Sequence, residues 1–158
     1  MTQSTPAINR AGLIPYLVCD PCSEAIEFYK KAFAAEEKFR LPTEAGDKYM
    51  HVELTIGGAS IFMADDFPEY CEGKSQSPKS LGGTPVTIHR YVTDCDAAIA
   101  QAEAAGATIK MPPTDMFWGD RYGMIVDPFG HTWSFATPQR EVGMDELNRA
   151  VQSMGKQQ

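Results

Sequence analysis

Apolar positions along the chain fall into short runs and three-and-four spacings that alternate in a fixed order. Leu13-Ile-Pro-Tyr-Leu-Val-Cys19 is an apolar run of strand length, and Asp20-Pro21 follows it as a cap and first-turn pair for a helix. From Ser23 to Ala34, Ala25, Ile26, Phe28, Tyr29, Ala32 and Phe33 recur three and four apart, which predicts a helix with one face on a sheet. Strands are predicted at Glu37 to Leu41, Tyr49 to Ile56 and, after a turn at Gly57-Gly58, Ser60 to Ala64. The order then repeats. A strand at Val86 to Val92 leads to a cap at Asp94, a helix from Ala97 to Ala105 and a stop at Gly106. Strands follow at Thr108 to Met111, Arg121 to Val126 and Thr132 to Ala136.

The pattern predicts an α+β fold of two βαβββ repeats, residues 13–64 and 86–137, whose paired sheets form a cleft. Aligning Ile56-Gly-Gly-Ala-Ser-Ile-Phe62 with Pro128-Phe-Gly-His-Thr-Trp-Ser134 superposes the last hairpins of the two copies. Residues 65–85, rich in Gly, Ser, Pro and Lys, form a long connection that can fold over a cleft, with Phe67 and Tyr70 as lid residues. In residues 138–158, Met144, Leu147, Val151 and Met154 at helical spacing predict an amphipathic terminal helix that packs on the domain or a partner, followed by a frayed tail.

Composition narrows the class. The chain has 158 residues, 43% hydrophobic and 22% charged, the balance of a single globular domain, with no apolar run of the ~20 residues a membrane span needs. The N-terminal stretch Met1 to Arg10 lacks the apolar core of a secretory signal, so a cytoplasmic location is expected. A net charge of −7 argues against a nucleic-acid surface. Cys19, Cys22, Cys71 and Cys95 are too few and too irregular for a disulfide scaffold. Cys19-Asp-Pro-Cys22 matches C-x-x-C only formally, and all four are expected as reduced thiols.

Strand alternation assigns faces. Val52, Leu54 and Ile56 must face the helices, which turns His51, Glu53 and Thr55 the other way with Phe62 and Ser60. In the second copy Ile88 and Val92 face the helix, and Thr87, His89 and Tyr91 face away. A four-residue turn at Asp127-Pro-Phe-Gly130 adds Arg121, Gly123, Ile125, Thr132 and Ser134 to that far face. The expected lining is therefore His51, Glu53, Thr87, His89, Tyr91, Arg121, Thr132 and Ser134 beside Leu13, Leu17 and Phe62, with Trp118 placed to stack on a flat ligand and Arg121 to bind an anion. Within this set Glu53 and His89 are the candidate acid or base. The alternative is that Trp118 packs, and that Asp120 pairs with Arg121 or caps a turn.

The ordered stretches Pro15-Tyr-Leu, Ala25-Ile-Glu-Phe-Tyr29, His51-Val-Glu-Leu, Asp94-Cys-Asp-Ala-Ala-Ile99, Ala105-Gly-Ala107, Trp118-Gly-Asp-Arg-Tyr122 and Asp127-Pro-Phe-Gly-His131 resemble the vicinal oxygen chelate superfamily. That superfamily holds glyoxalase I, bleomycin-resistance proteins, fosfomycin-resistance enzymes and extradiol dioxygenases; the PhnB-like branch is the most similar. The resemblance implies a divalent metal held on the first and last strands of each unit. Those sites fall here on Leu13 (or Ile14), Phe62, Thr87 and Ser134, none of them a plausible ligand, so no cofactor is expected. A relocated site would use His51, Glu53 and His89.

The expected function is thus metal-free binding of a flat or amphipathic small molecule in the cleft between repeats. The alternative is a lyase, isomerase or dioxygenase of the same superfamily. The resemblance also implies a homodimer.

Overall fold

The computed structural model describes residues 12–155. Strand β1 (Tyr16–Val18) leads into helix α1 (Cys22–Phe33), then β2 (Glu36–Pro42), β3 (Tyr49–Ile56) and β4 (Ala59–Ala64). After a 3-10 turn at Pro68–Tyr70 and a short helix α2 (Pro78–Leu81), the order recurs as β5 (Thr87–Tyr91), α3 (Cys95–Ala105), β6 (Thr108–Asp115), β7 (Asp120–Val126) and β8 (Thr132–Pro138), closed by α4 (Met144–Met154). The sheets are ordered β1-β4-β3-β2 and β5-β8-β7-β6, with the first strand of each unit parallel to the last. The two-unit α+β expectation therefore holds.

One continuous core joins the units. Val52, Leu54, Ile61 and Met63 on the inner face of the first sheet and Ile125, Trp133 and Phe135 on that of the second meet the apolar faces of α1 and α3. Phe33 of α1 lies against Trp133 at a ring separation of 4.6 Å, and Arg90 of β5 caps Phe33 and Phe135. The buried carboxylate of Asp127 ties the units together. It accepts from the Tyr29 hydroxyl at 2.5 Å, the Trp133 indole at 2.9 Å and the backbone N–H groups of Phe129 and His131.

The two helices start differently. Asp94 caps α3 as expected, accepting from the Ala97 N–H. Asp20 makes no such bond: it precedes a cis Pro21, and the Cys22 N–H is taken instead by Asp65 at 2.8 Å. Asp65 also accepts from the Tyr49 N–H. These anchors, together with Asp66 on Ser75 and the Gln76 N–H, pin the connection after β4 to the body of the domain. Phe67 and Tyr70, expected as lid residues, contact each other, and Phe67 lies under Lys48.

Four residues face the other way from the strand-alternation reading: Arg121, Gly123, Ile125 and Leu17. The turn after β7 takes five residues, not four, because Asp127 holds the His131 N–H and draws His131 into it. Val126 therefore pairs with Thr132 and Ile125 with Trp133, which rotates Arg121, Gly123 and Ile125 onto the helix side and Tyr122 and Met124 onto the open side. Arg121 consequently meets Asp96 of α3 through two N–H···O contacts of 2.9 Å, and Asp115 beside them. In the first unit, Leu17 joins the core and Tyr16 takes the open side opposite Phe62.

The C-x-x-C pair is buried. Burial, then the Asp65 carboxylate, pushes the Cys22 thiol up to about 12, so it stays protonated and unreactive.

Candidate functional site

The open face of the first sheet carries a hydrogen-bonded chain of three side chains from two strands. Glu53 is almost fully buried, and its Oε1 lies 3.0 Å from His51 Nε2. His51 Nδ1 lies 2.5 Å from the hydroxyl of Tyr16. Alternation along β3 puts His51 and Glu53 on one side, and the parallel register of β1 with β4 sets Tyr16 next to Phe62, whose ring packs edge-on to both His51 and Tyr16. Phe39 of β2, opposite Glu53, completes the aromatic surround. Burial, then the Cys22 thiol and the Glu53 carboxylate, raises the pKa of the Tyr16 hydroxyl.

The second sheet has a related cluster. His89 Nδ1 lies 2.7 Å from the buried Ser134 hydroxyl, the ring stacks on Tyr122 and meets Tyr91 edge-on, and Tyr122 in turn meets Trp118. The Trp118 indole donates to Asp120, so this tryptophan is held by its own hairpin. Gly119, at φ +101°, makes that geometry possible: a Cβ there would come within 2.3 Å of the Arg140 carbonyl. The register pair His89 and Ser134 occupies the place that Tyr16 and Phe62 hold in the first unit.

Between the sheets, edge strands β1 and β5 border a groove of about 570 Å3. Leu13, Pro15 and Tyr16 line one wall, Val86, Thr87, Ile88 and His89 the other, and His131 and Thr132 one end. That end is tied down where His131 Nε2 meets the Val18 carbonyl at 2.8 Å. On the other side of the 12–15 segment a second groove of about 400 Å3 reaches Arg90 and Trp133.

Of the residues expected to line one cleft, the structure brings Leu13, Leu17, Thr87, His89 and Thr132 to the inter-unit groove. It places His51, Glu53 and Phe62 behind Tyr16 on the first sheet, and groups Tyr91, Trp118 and Ser134 around His89 on the second. Arg121 belongs to none of these, being engaged by α3. Tyr16, which strand alternation missed, touches both the groove and the His51 chain. The available signal was its polar tip in an otherwise apolar run.

The positions that carry metal ligands in the resembling family do not fit a metal here. Leu13 is fully exposed carbon, Phe62 is packed on His51, Thr87 offers a lone hydroxyl, and the Ser134 hydroxyl is engaged by His89. Among the described residues no three of His, Cys, Asp and Glu are grouped to hold a metal ion, so His51 and Glu53 touch without His89 joining them.

Comparison with known proteins matches residues 8–135 to the Glyoxalase/Bleomycin resistance protein/Dioxygenase superfamily. The chain belongs to that superfamily. As a superfamily member it is 51% identical over 152 residues to an uncharacterized protein of Mycobacterium tuberculosis, covering 96% of this chain and 89% of that one. An uncharacterized Arabidopsis thaliana protein is 34% identical over 137 residues, 81% of this chain and 77% of its own length. The crystal structure of the Arabidopsis gene product superposes with a TM-score of 0.63 at 29% identity, covering 80% of this chain and 98% of that one. The fosfomycin resistance protein FosX of Listeria monocytogenes shares the fold, with a TM-score of 0.60 at 15% identity over 90% of this chain and 99% of its own. Helix α4 lies beyond the matched range, and no helix among the described residues is long and apolar enough to cross a membrane.

Proposed function

We propose that this superfamily member binds a flat or amphipathic small organic molecule, without a metal, in the groove between β1 and β5. The observation that carries the reading is the groove itself. Its volume is in the range of small-molecule sites, its walls are mostly apolar, and polar residues, among them Tyr16, Thr87, His89 and Thr132, line it from both units. Tyr16 and His89 are each backed by a hydrogen-bonding partner, His51 with Glu53 on one side and Ser134 on the other, so their orientations are preset. Trp118, Tyr91 and Phe62 extend the aromatic surface behind the walls.

Metal-free binding is favoured by the donor chemistry at the family's ligand positions. Native mass spectrometry of protein purified from its own host should find a co-purifying organic molecule, reduced in Thr87→Trp, which fills the groove. Elemental analysis that found stoichiometric metal, lost in His51→Ala or His89→Ala, would overturn the reading.

A second reading is an acid-base enzyme of lyase or isomerase type. The Tyr16, His51 and Glu53 chain favours it, because a hydroxyl backed by imidazole and carboxylate can exchange a proton with a bound substrate. Conversion of the co-purifying molecule by the wild type, lost in His51→Gln with binding retained, separates enzyme from binding protein. We further assign the chain to the PhnB-like branch on its ordered stretches, and propose a cytoplasmic homodimer with neither nucleic-acid nor membrane partner.

A further inference from the structure

We propose that Arg90 anchors a second ligand site, in the groove of about 400 Å3 on the other side of the 12–15 segment, and that its ligand is a carboxylate carried on an apolar body. The inference goes beyond the reading of the groove between β1 and β5 and does not depend on it.

The argument starts from how arginines are held elsewhere in the chain. Arg40 holds Glu37, Arg121 holds Asp96 and Arg140 holds Glu146, and each guanidinium has its pKa raised by that partner. Arg90 is different. It is half-buried, and its guanidinium lies over the rings of Phe33 and Phe135, 5.3 and 5.8 Å from their centroids. Among the described residues it makes no hydrogen bond or ion pair to a protein acceptor. Burial lowers its pKa and no acid beside it acts the other way, yet a guanidinium keeps its charge in proteins. The ring faces attract the cation but cannot take up all five N–H donors of its planar fork.

Two features direct those donors to the groove. Arg90 Nη2 lies at the β3–β4 turn, 3.6 Å from where a Cβ on Gly57 would stand, and both neighbours of that glycine, Ile56 and Gly58, line the groove. No Asp or Glu lines it, whereas the smaller groove on the other side of Arg90 is bordered by Asp94. An anion is therefore favoured on the Gly57 side, a local exception in a chain of net charge −7. The rest of the lining sets the body of the ligand. Leu13, Ile14, Pro15, Ile61 and Ile88 present carbon beside the buried Trp133, and His89 is engaged by Ser134. One fixed charge matches a monoanion, and its fork matches the two oxygens of a carboxylate.

Cyclohexanecarboxylate and cyclohexanecarboxamide share a body and differ in charge. Titration of the full chain with each at neutral pH, followed at the Arg90 Nε–H and Trp133 indole resonances, tests the proposal. The carboxylate is expected to bind roughly five- to tenfold more tightly and to move the Arg90 resonance. Arg90→Met keeps an unbranched stem over the rings and removes the charge, so the two probes should bind it equally. Ala59→Glu, at an exposed position of the lining, adds a fixed carboxylate and should abolish the preference without altering the ring contacts of Arg90. It decides the matter if Arg90→Met does not fold. Absence of binding by either probe, equal affinity in the wild type, or a preference that survives Ala59→Glu or a folded Arg90→Met overturns the site. So does carboxylate binding that leaves the Arg90 resonance unmoved. Tighter binding of inorganic phosphate than of the carboxylate overturns the ligand class.

Discussion

Asp127 gathers four donors from three places in the chain: the Tyr29 hydroxyl of the first unit, the Trp133 indole, and the N–H groups of its own turn. Removing the acceptor strands all four in the interior, where each unsatisfied donor costs about 1–3 kcal/mol before relaxation. Asp127→Ala is expected to lose about 3–5 kcal/mol in urea unfolding, whereas Tyr29→Phe, which removes one donor and leaves the carboxylate its others, should lose about 1–2 kcal/mol. Glu37 makes a pH-dependent contribution. Its hydrogen bonds to Arg40, then to Lys30, hold its carboxyl down at about 2, against 4.5 for the free group. Between those values the unfolded chain binds a proton that the folded chain does not. The stabilisation is therefore complete above about pH 4.5 and lost as the pH falls towards 2. Glu37→Gln should flatten the acid limb of stability in that window, measured by urea midpoints at stepped pH. Neither role was readable from residue type alone, since Asp127 reads as turn chemistry and Glu37 as the start of a weak strand.

At the scale of elements, most boundaries were legible because the helices and strands keep clean periods, and Tyr49 to Ile56 and Met144 to Met154 coincide with β3 and α4. Facing was legible where apolar and polar residues alternate, as in β3, and illegible in two places. The run Leu13 to Cys19 is apolar on both sides, and the hydroxyl of Tyr16 is its one local cue that Tyr16 is open where Leu17 is buried. In the second hairpin the register turned on whether His131 belongs to strand or turn, and a side-chain bond from Asp127 decides that. The same register explains Gly123. It sits where α3 rests on β7, and a Cβ there would meet Ile99 Cδ1 at 2.3 Å and the Met111 carbonyl at 3.0 Å. Gly123→Ala is expected to destabilise by about 1–3 kcal/mol, and Ile99→Val in the same chain, by removing that methyl, should recover part of the loss in a double-mutant cycle.

For the whole molecule, α4 buries no residue and leaves Met144, Val151 and Met154 exposed. Truncation after Gly143 should therefore leave the unfolding free energy from urea titration within about 0.5 kcal/mol of the full chain. Light scattering on the same pair shows whether the exposed stripe contributes to the proposed dimer. Two-unit architecture and a cleft between the units were legible from the repeated order of elements, but the walls of the groove were not, because the packing of two edge strands leaves no local pattern. The position of the groove matters for how the protein can diverge. One wall of the groove is inherited with the first copy of the unit and the other with the second, so a substitution that reshapes the Tyr16 wall leaves the His89 wall as it was. With the proposed binding in this groove, descendants of such a chain can trade one half of a ligand's recognition while keeping the other, and arrive at new molecules by steps that never abandon the old one entirely.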